Sequence, residues 1–371
     1  MKLSFSVVTS AFLTAFFSSV SGQLHAQTLS FLPKVDYVVG NIGTMSIGDV
    51  NVDGKPDLII PNDDKNTVGI MLGKGNGTFL AAVHYPVGLK PGTARMGDLN
   101  HDGRPDVVVT NNSGNTVSVL LGKGSGVLAA KVDYPTGLSP KTLVIEDVSY
   151  DGKLDLIIPN RNGSSISVLL GKGNGTFAAK VDYSILPSGT VAVGDMNNDG
   201  KPDLVVNNSN SDLNINNGAS ILFGNGNGTF QVKTDYVVAN SSGSAIGDMN
   251  HDGKLDIIVT SSNAIGILLN KGNKVFSSPL NYPTGLSPDS PSIADVNLDG
   301  KLDIVTPNQD SGTISVLLGK GNGTFLPKDD YPVGLYPERV AIGDLNYDGK
   351  PDIVVKNSDS QTMSVLINNS Y

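Results

Sequence analysis

A chain of 371 residues with 44 Gly, 20 Pro and a formal charge of −9 has the composition of many short strands joined by turns, which argues against long helices. With no Cys it can have neither disulfides nor a thiol nucleophile, so stability beyond the core must come from elsewhere, and bound metal is the first candidate. The 26 Lys and Arg form no runs, which excludes a phosphate-tracking surface and therefore a nucleic-acid binder.

Residues 1–26 read as a secretory signal peptide. Lys2 supplies the positive start, Val7 to Phe17 the apolar stretch, and Val20-Ser21-Gly22 or Ala26 a cleavage point near 22–26. The expected location is secreted or extracellular, periplasmic or cell-surface. The apolar stretch is shorter than the roughly 20 residues of a spanning helix, and no later stretch could span a bilayer, so no membrane insertion is expected.

From there one unit recurs. The string Asp-x-Asn-x-Asp-Gly-x-x-Asp, with Ser149 for Asn in the third copy, has its first Asp at Asp49, Asp98, Asp147, Asp195, Asp248, Asp295 and Asp344. The interval suits one four-stranded blade and is too long for a leucine-rich or hexapeptide coil. In the first unit β-branched runs predict strands over Thr44 to Ile47, Asp57 to Ile60, Val68 to Leu72 and Phe79 to Tyr85. The last unit stops at Asn368-Asn369-Ser370-Tyr371 without its fourth strand, while Phe31 to Tyr37 precedes the first unit. Pairing these ends would close a ring and remove an exposed sheet edge. The prediction is an all-β chain whose residues 27–371 form a single seven-bladed β-propeller of four-stranded antiparallel blades, expected to be a monomer.

Each repeated string places side-chain oxygens at positions 1, 3, 5 and 9, a main-chain carbonyl at position 7 and Gly at position 6. This is the pattern of a calcium loop, since calcium takes six to eight oxygens and Gly permits the sharp bend. The first loop carries Asp49, Asn51, Asp53, Lys55 and Asp57, the second Asp98, Asn100, Asp102, Arg104 and Asp106, and the third Asp147, Ser149, Asp151, Lys153 and Asp155. The fourth has Asp195, Asn197, Asp199, Lys201 and Asp203, and the fifth Asp248, Asn250, Asp252, Lys254 and Asp256. The sixth has Asp295, Asn297, Asp299, Lys301 and Asp303, and the seventh Asp344, Asn346, Asp348, Lys350 and Asp352. The loop is like the front half of an EF-hand without its position-12 Glu, leaving the position-9 Asp as the closing carboxylate. Up to seven structural Ca²⁺ are expected, with the third loop weakest because Ser149 replaces Asn.

The Gly-Lys-Gly stretches after each third strand, such as Gly73-Lys74-Gly75, precede no helix pattern and repeat with the blades, so they read as turns and not phosphate cradles. Tyr37, Tyr85, Tyr134, Tyr183, Tyr236, Tyr282 and Tyr331 recur near the fourth strands and are assigned to packing between blades. The catalytic inventory is thin. His25, His84, His101 and His251 assemble no triad, and Arg95, Arg161 and Arg339 read as surface charges sooner than as bases of a metal-assisted lyase.

These loops resemble the VCBS and FG-GAP repeat family, including the propeller head of integrin α chains, over roughly residues 29 to 371. The resemblance implies a calcium-loaded seven-bladed propeller at or beyond the cell surface, used for adhesion, carbohydrate recognition or protein contacts; some members are sugar lyases or dehydratases. A glycan or protein ligand is expected on the face opposite the calcium loops. There the second-to-third-strand loops vary from Asp63-Asp64-Lys65 and Arg161-Asn162 to the long Ser209 to Asn217, and Tyr336 is a non-repeated aromatic. The alternative is an extracellular polysaccharide-active enzyme on the same scaffold.

Overall fold

The computed structural model describes residues 29–185, 189–210, 215–236 and 243–370. Seven four-stranded antiparallel sheets stand around a central channel lined by their first strands. The expected seven-bladed propeller is therefore the observed fold. In the first blade the strands are Ser46–Gly48, Asp57–Asn62, Thr67–Met71 and Val83–Pro86. The second and third are buried along almost their whole length, whereas the fourth is mostly exposed. A neighbouring blade covers each face of the inner strands, so Leu58-Ile59-Ile60 reads as a continuous apolar run where a one-sided sheet would alternate.

The core is divided among the spaces between blades. Met45, Leu58 and Ile60 pack against Val354, Met363 and Val365 of the seventh blade, while Ile59, Val68 and Ile70 pack against Val107, Val109 and Leu120 of the second. Edge-to-face aromatic pairs bind the rims. Tyr134 of the second blade meets Phe177 of the third with ring centroids 5.4 Å apart, and Tyr282 meets Phe325 at 5.1 Å. The repeated tyrosines are thus inter-blade packing, as expected.

Ring closure follows the expected route. Val35–Val38 pairs antiparallel with Thr362–Leu366, Val35 opposite Val365, making the fourth strand of the blade that also holds Pro337–Gly343 and Asp352–Asn357. A bridge between Phe31 and Asn368 extends the contact. A buried polar relay shows that this strand is equivalent to the others. In the second blade the Asn111 side-chain amide donates to Ser118 Oγ at 2.9 Å, and Ser118 donates to Asp133 at 2.6 Å, with Lys131 on the far carboxylate oxygen. In the seventh blade Asn357 and Ser364 make the same contacts, but Asp36 and Lys34 come from the N-terminal strand.

Two strand predictions shift. Phe79 belongs to the preceding turn, bridging Gly73, because Gly75 and Gly77 adopt positive φ and fold the chain back before Val83. The Ser209 to Asn217 stretch is largely a hairpin extension: Asp203–Asn210 and Ile215–Leu222 pair as far as Asn210 opposite Ile215. Its tip, 211–214, and the signal-peptide residues lie outside the described residues. Among the described residues no helix is long and apolar enough to cross a membrane.

Candidate functional site: seven acidic loops on one face

The acidic loops join first to second strands, and the Gly/Asn turns join third to fourth, so both emerge on one face of the ring. In all seven loops the position-4 residue is left-handed, from Val52 at φ 60° to Tyr347 at φ 63°, and the position-6 glycine follows at φ between 78° and 86°. A left-handed non-glycine costs about 1–2 kcal/mol. The loop holds this strain in every blade, and the two reversals turn the odd-numbered side chains inward.

The position-1 carboxylate is the hub. Asp49 accepts the Asp53 N–H at 3.1 Å on one oxygen and the Gly54 N–H at 2.8 Å on the other. Asn51 accepts the same Asp53 N–H at 2.9 Å, and Asp53 accepts the Lys55 N–H at 2.8 Å. In the third loop Ser149 instead donates its hydroxyl to Asp147 at 3.3 Å, so the acceptor that Asn supplies elsewhere at position 3 is lost. The position-7 side chain folds back on the position-5 carboxylate in several loops, Arg104 to Asp102 at 2.6 Å and Lys301 to Asp299 at 2.9 Å. That contact holds the Asp151 carboxyl below its ordinary range through Lys153.

The position-9 aspartates have a second role that spacing did not reveal. Asp57 is fully buried and accepts the Val50 N–H at 2.9 Å and the Gly73 N–H at 2.8 Å, tying the loop to the neighbouring turn. Asp106, Asp155, Asp203, Asp256, Asp303 and Asp352 repeat the double contact. A Cβ on Gly73 would lie 2.0 Å from the Pro56 carbonyl oxygen, so the turn needs glycine for this close approach.

Burial, only partly offset by the two N–H donors, pushes the carboxyls of Asp106, Asp155, Asp203, Asp256 and Asp352 up to about 6 and that of Asp303 to about 7; nearby loop aspartates add to the shift. The folded chain therefore holds these protons more tightly than the unfolded chain, whose aspartates titrate near 3.9. The stabilisation they give at acid pH is lost as pH rises through 6 to 7. Scanning calorimetry in chelator is expected to show the melting temperature rising as pH falls from 7 to 5. A steady fall over that interval would contradict this assignment.

All candidate donors in a loop are hard oxygens, and Asp344 Oδ1 is buried without a partner among the described residues. Both features fit a divalent cation. Among the described residues no three Asp, Glu or His side chains form a ready-made ligand cluster; the position-1 and position-5 carboxylates accept main-chain N–H groups of their own loop, and the position-9 carboxylates also that of the neighbouring turn. Metal occupancy therefore depends on the loop oxygens sharing those donors.

Four of the position-4 side chains also join blades. Asn198 donates to the Gly253 carbonyl at 3.2 Å, His251 Nδ1 lies 3.3 Å from that of Gly321, and Tyr150 and Tyr347 contact Gly200 and Gly54. His84 Nδ1 lies 3.2 Å from Thr67 Oγ1. Arg95 and Arg339, read from sequence as surface charges, line the channel instead.

A seven-bladed propeller with one aspartate loop per blade defines a repeat protein. The chain belongs to the FG-GAP repeat family: the FG-GAP-like repeat profile matches residues 49–109, 98–158, 147–206, 248–306 and 295–355, and the FG-GAP repeat profile matches 189–232. Among solved structures it resembles an Agrocybe aegerita lectin whose structure concerns recognition of non-reducing terminal N-acetylglucosamine, with TM-score 0.57, 18% identity, and 79% of this chain and 81% of that one covered. It also resembles BBS1N in complex with ARL6DN, with TM-score 0.61, 13% identity, and 91% and 96% covered. At these identities the likeness concerns the fold. No curated protein sequence matches the chain significantly.

Proposed function

We propose that the protein is an exported, calcium-loaded propeller that acts as a monomeric recognition module, with calcium structural and the ligand, a glycan, held on the face opposite the acidic loops. The observation carrying this reading is the shared backbone construction of the seven loops, left-handed at position 4 and at the position-6 glycine. Each blade keeps a strained loop with oxygens at fixed positions, and the buried Asp344 Oδ1 has no partner among the described residues. A ring made rigid on one face leaves the other free to vary. There the connecting loops run from Asp63-Asp64-Lys65 to the extended hairpin of Asp203–Asn210 and Ile215–Leu222. One fold neighbour, a lectin, recognises a terminal sugar, which supports a glycan ligand, while BBS1N in complex with ARL6DN supports the protein alternative.

A glycan array probed with calcium-loaded protein tests this. Retention of a defined subset of glycans is expected, weakened at least tenfold when residues 209–217 are replaced by a two-residue turn that leaves the melting temperature unchanged. An array empty at every concentration would reject glycan recognition.

A further inference from the structure

The central channel encloses about 510 Å³. The first strands run through it from the ligand face to the acidic-loop face, so a residue's distance before its loop gives its depth. Glu146, directly before Asp147, lies at the acidic end. Arg339, five residues before Asp344, lies near the opposite mouth, and Arg95, three before Asp98, lies between.

The basic end has more cations than carboxylates to meet them. Arg339 is paired with Asp289 at 2.7 Å and also donates to Ser290 Oγ at 2.7 Å. Asp289 is already shared: one oxygen takes Arg339, the Ser290 N–H and the Ser290 hydroxyl, and the other takes the Gln309 side-chain amide at 3.1 Å. Glu338 is held by Lys356. Arg95 has no carboxylate among the described residues; its guanidinium donates to the Ala94 carbonyl at 3.0 Å and approaches Ser46 Oγ at 3.4 Å and the Met45 carbonyl at 3.5 Å. Lys141, in the third blade, directly precedes the channel-lining Thr142. It lies within electrostatic range of Arg339, Arg161, Glu338 and Asp289 and forms no ion pair among the described residues.

Two hydroxyls on the channel wall are also unsatisfied. Thr142 Oγ1 and Ser244 Oγ are buried and have no hydrogen-bond partner among the described residues. Cations without counter-ions and hydroxyls without partners are each costly to bury, and Arg95, Thr142 and Ser244 line one cavity. In a chain of formal charge −9 the ligand-face end of the channel, away from the lining carboxylates of Glu146 and Asp344, is a local positive site that attracts an anion.

We infer that the ligand-face end of the channel binds the carboxylate of a sugar acid, Arg95 and Lys141 meeting the charge and Thr142 and Ser244 the ring hydroxyls. A guanidinium matches a carboxylate through two parallel N–H donors, and the paired hydroxyls favour a polyhydroxylated carrier over a bare ion. Burial first, and Arg339 second, lower Arg95 to about 10; burial first, then Arg339 and Arg161, lower Lys141 to about 8 against the pull of Glu338 and Asp289. The inference rests on the recognition reading for the choice of face and adds the charge of the group bound. The carboxylate can belong to a free sugar acid or to a uronic acid residue of a polysaccharide.

Calorimetric titration at pH 7 with galacturonate, galactose, a galacturonate trimer and sodium sulfate tests the site. Galacturonate, the trimer or both should bind at least tenfold tighter than galactose and sulfate. Monomer binding identifies a free acid as sufficient, and trimer-only binding identifies a chain residue; either supports the inference. Arg95→Gln and Lys141→Gln should each weaken binding at least tenfold with unchanged or higher melting temperature, and Arg95→Lys should retain part of it. Galacturonate and trimer binding no better than galactose, sulfate binding equal to theirs, or undiminished binding by both glutamine variants would overturn the inference. If neutral sugars are retained on the array while both acids fail here, recognition stands and the charged site falls.

Discussion

Stripped of divalent cations and then returned to excess calcium, the protein will melt more than about 10 °C higher. A ligand that binds only the folded state stabilises it by RT ln(1 + [L]/Kd), about 2.7 kcal/mol per site at a hundredfold excess over Kd. Even a few occupied loops would exceed that shift for a domain this size, where each kcal/mol moves the melting point by roughly 2 °C. The loops also hold position-1, position-5 and position-9 carboxylates together, and this repulsion is relieved on loading. Mass spectrometry under native conditions should count the bound ions, with the third loop, where Ser149 donates instead of accepting, filling last. A shift below about 2 °C with no ion bound would leave the aspartate loops as turns alone.

Replacing Asp106 by alanine will destabilise the fold by about 3–5 kcal/mol, in calcium and in chelator alike. Its carboxylate is fully buried and accepts the Leu99 N–H at 3.0 Å and the Gly122 N–H at 2.7 Å. Alanine strands two buried donors, each a loss of about 1.5–3 kcal/mol when the acceptor is charged. Asparagine retains one acceptor and should cost less. Denaturant unfolding of both variants in chelator separates this role from metal binding: a purely ligating aspartate would cost nothing there, and equality with wild type would reject the clamp.

The propeller was legible because its signals are local and repeated. The aspartate loop marks every first-to-second-strand connection, and the Phe31 to Tyr37 segment carries the Tyr of a fourth strand, so the closing strand could be placed from sequence. The fourth strand of each blade was overextended, since Phe79 keeps strand-like chemistry while two positive-φ glycines end the turn behind it. The clamp by Asp106 was not legible, because its donors are main-chain groups 7 and 16 residues away that any residue would supply. Nor was the channel. Arg95, Lys141 and Thr142 are ordinary residues in sequence, and only closure of the ring brings them near Arg339 and Ser244.

That closure also sets the order in which the molecule can be made. Ser30 and Ser370, which hydrogen-bond at 3.0 Å, are separated by 340 positions. The entropy of bringing distant segments together grows slowly with their separation, but it must be met before the contact gives anything back. Six blades can assemble from near neighbours as the chain emerges, whereas the seventh waits for the last strand. The final seam is therefore the contact that closes last, and until it forms the N-terminal strand is an unsatisfied edge, open to pairing with another copy.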